Sequence, residues 1–272
     1  MTVFNIVMVN YNTSEETIKA IESISNNIIK DYNVRIIIVD NNSTSYNKLK
    51  LNDIIKKDYV QLIELDENIG YFPALNVGLK CFDNTTFDNV YTIVCNNDLL
   101  FNDAFFNDIS KRKWKEDIHA LAPSVKTINN IYQNPSLIYK PSYIRYLMYS
   151  LYYSNYFLGT LILKIWRGLG LGIDSNDIKD TEEKEIFIGI GAIYILTASF
   201  FKNNSELSYP LFLYGEEAFF SKQIHDKNGR ILYVPTVEVV HLESVSTKKI
   251  PSKFNYELNR KAFKLYKDYF KG

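Results

Sequence analysis

Four short apolar runs dominate the first hundred residues: Phe4 to Val9, Val34 to Val39, Val60 to Leu65 and Val90 to Cys95. Unbroken runs of this length suit strands buried on both faces, and such strands belong to parallel sheets covered by helices. The spacers between them carry helical patterns. Thr13-x-x-Glu16 reads as a capping box, opening a helix with Ile18, Ile21, Ile24 and Ile28 on its inner side. A second helix is expected from near Tyr46 to Lys56. A third starts around Pro73, which suits a first helical turn, and runs to about Phe82. Strand-helix alternation at this spacing predicts an α/β fold with a largely parallel sheet.

Each run ends in polar residues. Asn10-Tyr11-Asn12 follows the first, Asp40-Asn41-Asn42-Ser43-Thr44 the second, Asp66-Glu67-Asn68-Ile69-Gly70-Tyr71 the third and Asn96-Asn97-Asp98 the fourth. Taken singly, each is what an ordinary turn looks like. In a parallel sheet they converge on one edge, where open α/β sheets bind ligands. Tyr11 offers a ring to stack on a base, Asp40 an acceptor for a base or ribose, and Gly70 a close backbone approach. No glycine-rich phosphate loop is present: Gly189-Ile190-Gly191 begins a GxG, but Tyr194 stands where GxGxxG needs glycine, and no GxxxxGK[ST] occurs. A nucleotide diphosphate would therefore need a metal ion to offset its charge, and Asp98 is the natural oxygen ligand for Mg²⁺ or Mn²⁺.

Far downstream, Phe212-Leu213-Tyr214-Gly215-Glu216-Glu217 places two carboxylates after an aromatic-glycine turn, and His241 closes the apolar run from Val237. The carboxylates suit a general base, and equally a solvated helix start whose dipole favours acidic residues. His119 and His225 have no comparable setting. The chain has 272 residues, 46% of them hydrophobic, enough for one large domain or two halves around one sheet. Its net charge of +0 gives no basic field for nucleic acid. Cys81 and Cys95 form no metal or redox motif and are expected to be two buried thiols in a reducing compartment. The chain enters a strand at once, without a basic leader, which argues for the cytoplasm.

In order, these motifs resemble family 2 glycosyltransferases, the inverting nucleotide-sugar-dependent type with the GT-A fold, and within them the bacterial rhamnosyltransferase-like branch. The matching blocks are Ile6 to Asn12, Ile38 to Thr44, Asn68 to Tyr71 with Asn76-x-Gly78, Asn96 to Asp98, Gly191-Ala192, Phe212 to Glu217, Tyr233 to Pro235, and His241. The resemblance implies a Rossmann-like, mostly parallel sheet flanked by helices, with a C-terminal acceptor-binding half. It divides one continuous domain into a nucleotide-sugar half, 1–103, an acceptor and catalytic half, 104–247, and a C-terminal helix, 248–272. It implies nucleotide-sugar binding by Val9, Asn10, Tyr11, Asn12, Asp40, Asn42, Asn68, Gly70, Asn76 and Asn97. Tyr11 and Asp40 would hold a uracil or thymine nucleoside, and Asp98 and His241 the Mg²⁺ or Mn²⁺, with Asn96 in place of the motif's first Asp. Glu217 falls where the family has its catalytic Asp, directly after a matched Glu216, and a Glu is one methylene longer. The implied reaction moves rhamnose or another hexose from a UDP- or dTDP-sugar to a glycan or lipid-linked glycan, in cell-surface polysaccharide synthesis. A sugar nucleotidyltransferase predicts an early basic phosphate loop that is missing; a degenerate protein that binds nucleotide sugar without turnover is the other alternative.

Between Ile118 and Ile173 there is no acidic residue, while Lys140, Arg145, Lys164 and Arg167 are basic and tyrosines crowd the segment 139–173. Tyrosine belts with basic flanks suit the bilayer interface, so Tyr139 to Gly172 is expected to make peripheral membrane contact, at the inner face of the cell membrane. An acceptor-site lid, a core helix and a membrane span remain the alternatives.

Overall fold

The computed structural model describes residues 2–82, 89–168, 178–243 and 253–271, and at 166 and 167 the backbone alone. The chain runs β1 (Val3–Asn10), α1 (Ser14–Glu22), α2 (Asn26–Asp31), β2 (Asn33–Asp40), α3 (Ser45–Lys50), β3 (Val60–Glu64), α4 (Tyr71–Leu79) and β4 (Val90–Asn96). It continues through β5 (Leu99–Leu100), α5 (Asp103–Ser110), β6 (Ile118–Thr127), α6 (Tyr143–Tyr152), α7 (Tyr156–Gly168), β7 (Lys184–Ile186) and β8 (Ile193–Leu196). The last elements are α8 (Ala198–Asn203), α9 (Glu216–His225), β9 (Arg230–His241) and α10 (Lys253–Lys271). One nine-stranded sheet runs β3-β2-β1-β4-β8-β6-β9-β5, with β7 also paired to β9.

The four apolar runs are the parallel strands β1 to β4, as their composition requires. Alternate residues serve opposite faces: Phe4, Ile6 and Met8 of β1 join one core cluster, Val7 and Val9 the other. A side chain buried this way stabilises the fold by about 1.5–3 kcal/mol. On the second face α4 lies close to the sheet, because a Cβ on Gly78 would stand 2.4 Å from a Val7 methyl. β8 enters antiparallel beside β4 and joins the two halves of the chain, while β6 and β9 pair parallel.

Several local expectations are corrected. Thr13 precedes α1 but its side chain makes no cap bond, because its hydroxyl accepts from Asn97 instead. The helix expected to continue through Ile28 breaks at Ser23 to Ser25, where Ser25 accepts from the Ile28 amide and caps α2 afresh. The Tyr46 to Lys56 helix ends at Lys50 and gives way to a short 3-10 turn at Ile54–Lys56. Gly189 and Gly191 lie in the short connection between β7 and β8. Cys95 is buried but Cys81 is exposed, since it follows the last turn of α4, beyond the sheet. The α10 helix matches the expected C-terminal helix, whereas the 247/248 limit and residues 169–173 of the aromatic segment lie outside the described residues.

A third cluster lies off the sheet. Tyr146 of α6, Ala218 of α9 and Phe263 and Phe270 of α10 pack together, so the α6–α7 hairpin rides on α10 and α10 on α9.

Candidate active site

β2 and β3 lie on one side of β1 and β4 on the other, so strand order reverses between β1 and β4. That is where a crevice opens beyond the strand ends. A cavity of about 800 Å³ occupies it, lined by Val9, Tyr11, Thr13, Asn41, Asn68, Gly70, Tyr71, Asn96, Asn97, Asp98, Phe212, Leu213, His241 and Glu243. A second cavity of about 300 Å³ adjoins it and shares Tyr71, Asn96, Leu213 and His241; its other walls include Gly191, Ala192, Tyr214, Glu216 and Glu217.

Beneath the cavity lies a buried amide network. Asn10, at the end of β1, donates to Asp40 Oδ2 at 2.7 Å, with Ser14 and Ser43 hydroxyls within reach, and accepts from Thr17 Oγ1 at 2.9 Å. Asp40 Oδ1 accepts from the Ser43 amide at 2.8 Å and lies 3.9 Å from Lys48 Nζ. Asn97 Nδ2 faces the Thr13 and Thr17 hydroxyls, each at 2.7 Å. Asn10 and Asp40 are both fully buried, so they brace the turns around the crevice without lining it. Asn12 and Asn42 shape those turns: both have positive φ, a region Asn tolerates better than most residues. Asn76 lies further away, its amide pairing with the Leu207 backbone N–H and C=O at 2.8 and 2.9 Å. Of the ten residues implied for nucleotide-sugar binding, Val9, Tyr11, Asn68, Gly70 and Asn97 line the larger cavity; Asn10, Asn12, Asp40, Asn42 and Asn76 line neither.

Asn41 escaped the sequence reading although its motif did not. Its Nδ2 donates to Asn68 Oδ1 at 2.8 Å and its Oδ1 accepts from the Ile69 amide at 3.0 Å, fixing the loop that carries Gly70. Gly70 has φ +95°, and a Cβ there would lie 2.3 Å from the Phe212 carbonyl oxygen. Both facts demand glycine, and they join the front loop to the downstream one.

Asp98 and His241 meet because β5 pairs with the end of β9, Leu99 opposite His241. Asp98 Oδ1 lies 3.1 Å from His241 Nε2. Behind the imidazole, Gln133 Oε1 lies 2.7 Å from Nδ1, while Gln133 Nε2 donates to Glu243 Oε1 at 2.9 Å. The glutamine's nitrogen is committed to Glu243, so its oxygen faces the ring and Nδ1 carries the proton. Nε2 is thereby directed to Asp98 and the cavity. Gln133 and Glu243 had no sequence signal beyond Glu243 standing two residues after His241.

The carboxylate pair opens α9. Tyr214 and Gly215 both adopt positive φ, and Glu216 accepts from the Tyr214 amide at 3.0 Å, holding this strained turn. Burial, then the charge of Glu217, pushes the Glu216 carboxyl up to about 7. Glu217 accepts from the Gly191 amide at 3.3 Å, and burial raises its pKa too. A Cβ on Gly191 would stand 2.7 Å from that carboxylate, so glycine makes room for the longer acid.

Among the described residues neither cavity is lined by Lys or Arg, while Asp98, Glu216, Glu217 and Glu243 are acidic. A diphosphate placed here meets negative charge. Among the described residues no group of three His, Cys, Asp or Glu is arranged to hold a metal ion. Asp98 and His241 therefore offer one carboxylate and one imidazole. That donor set fits a divalent cation completing its shell with phosphate oxygens and water.

Comparison with solved structures shows the same architecture. GalNAc-T7 with UDP, GalNAc and Mn²⁺ superposes with a TM-score of 0.64 at 17% identity, covering 99% of this chain and 50% of that one. Staphylococcus aureus TarS 1-349 gives 0.55 at 13% identity (89% and 60% covered), and its UDP-GlcNAc complex 0.58 at 15% (95% and 64%). The chain thus spans between half and two thirds of these proteins, and at such identities they show the fold, which is GT-A. No curated protein matches the sequence. Residues 5–157, more than half of the chain, match the model of Glycosyl transferase family 2, and the chain belongs to that family.

Proposed function

We propose that this glycosyltransferase is an inverting, metal-dependent hexosyltransferase. It would move rhamnose or another hexose from a UDP- or dTDP-sugar to a glycan or lipid-linked glycan in cell-surface polysaccharide synthesis, within the rhamnosyltransferase-like branch. The observation that carries this is the pair of adjoining cavities: one has the Asp98–His241 pair and, among the described residues, no Lys or Arg, the other the buried Glu216 with the half-buried Glu217. UDP-sugar and Mn²⁺ in the fold neighbours are consistent with it.

Tyr11 is half exposed at the mouth and is the ring on which the base stacks, with Asn68, positioned by Asn41, beside it. Asp40 and Asn10 act through the turns they brace. Asp98 and His241 would hold Mg²⁺ or Mn²⁺, and the ion would supply positive charge against the departing diphosphate. Glu217, in its unprotonated form, takes the proton of an acceptor hydroxyl as that oxygen bonds to the anomeric carbon. The bond to the diphosphate oxygen breaks on the opposite face, its electron pair leaving with the nucleotide, so one displacement inverts the centre. Glu216 holds the turn from which Glu217 projects.

The test is nucleotide release from a panel of UDP- and dTDP-sugars with Mn²⁺, Mg²⁺ or EDTA, for the native chain and Glu217→Gln. The expected result is metal-dependent release from one donor, with Glu217→Gln retaining nucleotide binding and losing transfer. Undiminished transfer in Glu217→Gln would remove it as the base. Nucleotide binding without turnover on any donor would favour the binding-only alternative.

A further inference from the structure

We propose that α6 and α7 form a docking ridge for an anionic lipid surface, a proposal that rests on the transferase reading only for what the docking serves. α6 already has a buried side: Tyr146 is in the cluster with α10, and Tyr149 and Tyr153 contact Phe263. Yet Ile144, Leu147, Met148 and Leu151, at i, i+3, i+4 and i+7, form a second apolar stripe, exposed by 71, 46, 39 and 53%. On α7, Phe157, Leu161 and Ile165 recur every fourth residue and are also exposed, Phe157 by 80%. A surface helix ordinarily has one apolar stripe, turned to the core. A second one in water marks an interaction surface.

Charge identifies the partner. Lys140, Arg145 and Lys164 are exposed on or beside these helices, and no acidic residue lies between Ile118 and Ile173. A purely apolar protein partner needs no such basic residues along the two helices. A bilayer with anionic headgroups matches both features, taking apolar side chains at the acyl boundary and cations at its surface. Tyr139 and Tyr143, both exposed, suit headgroup depth. No helix among the described residues is long and apolar enough to cross a membrane. The turn bearing the carboxylate pair is one helix away: a Cβ on Gly215 would stand 3.0 Å from Ala262 and Tyr266 of α10, which carries α6. Docking would hold that turn near the layer in which a lipid-linked acceptor is displayed.

The test is flotation of the full chain with phosphatidylcholine vesicles, with and without phosphatidylglycerol, at low and high salt. Binding is expected to the anionic vesicles and to weaken with salt. Leu147→Asp with Leu161→Asp, both at exposed positions, is expected to reduce partitioning at least tenfold. Arg145→Gln with Lys164→Gln should reduce it about fivefold per charge. Circular dichroism and donor hydrolysis in lipid-free buffer should be unchanged in both variants. Failure to bind either vesicle, or equal binding by the variants, would overturn the ridge. So would a dimer that Leu147→Asp dissolves in a chain that ignores vesicles, which would assign the surface to a second copy. Vesicle binding without donor hydrolysis would sink the transferase reading and leave the ridge standing.

Discussion

Glu216 has a carboxyl pKa of about 7 because burial and the neighbouring Glu217 both penalise its charge. The unfolded group titrates near 4.5, so between about 4.5 and 7 the folded state binds more protons. Its contribution to stability is full below 4.5 and is lost as pH rises through 7. Glu216→Gln should therefore leave stability at pH 4 nearly unchanged and raise it at pH 8, by up to about 3 kcal/mol, in urea unfolding at the two pH values. Transfer has the opposite pH dependence, since the base must be unprotonated: activity should climb with pH through the raised Glu217 pKa. The Gln133–His241 contact carries a second prediction. Gln133→Leu removes the acceptor for the imidazole N–H and should lower Mn²⁺ affinity roughly 10–100-fold, read by paramagnetic titration without substrate. Asp98, Glu217 and His241 were legible in the sequence because each ends or follows an element pattern. Gln133 was not, since only the fold brings it to His241.

At the scale of elements, the four parallel strands were legible because burial on both faces leaves no polar alternation. The α1–α2 break was not, because the apolar spacing runs across it and only the Ser25 cap separates two helices. Asn76-x-Gly78 was legible as a motif but not as a function: Gly78 sets the approach of α4 to the sheet, and Asn76 ties it to the 207 loop. Asn76→Ala leaves the buried Leu207 amide without its acceptor and should cost about 1–3 kcal/mol in thermal or urea unfolding. Gly70→Ala forces a side chain into positive φ and onto the Phe212 carbonyl. It should destabilise the fold by more than 1 kcal/mol and weaken nucleotide binding with it, measured by unfolding and by calorimetry.

Across the whole molecule, the larger cavity is built from both chain halves, with β1 and β4 ends on one wall and the 212–213 loop and His241 on the other. On the proposed reading, a diphosphate among these acidic walls is held through a cation. UDP at a hundredfold excess over its dissociation constant should raise the thermal midpoint by about 5 °C with Mn²⁺ and hardly at all in EDTA. The outline of this arrangement was readable from the order of motifs. The third cluster, which seats α6 and α7 on α10, was not, because its aromatic residues spell only an unusual composition until α10 is in place.

The two-residue β5–β9 pairing sets when the Asp98–His241 contact can form. It joins Asp98 to a histidine near the far end of the described chain, so the pair cannot meet until β9 has been synthesised. Strands β1 to β4 can pair earlier, as the chain leaves the ribosome from its N-terminus. A nascent chain stopped before β9 would have the residues of the buried amide network but not the Asp98–His241 pair, so the two ends of the candidate site are completed at different times in synthesis.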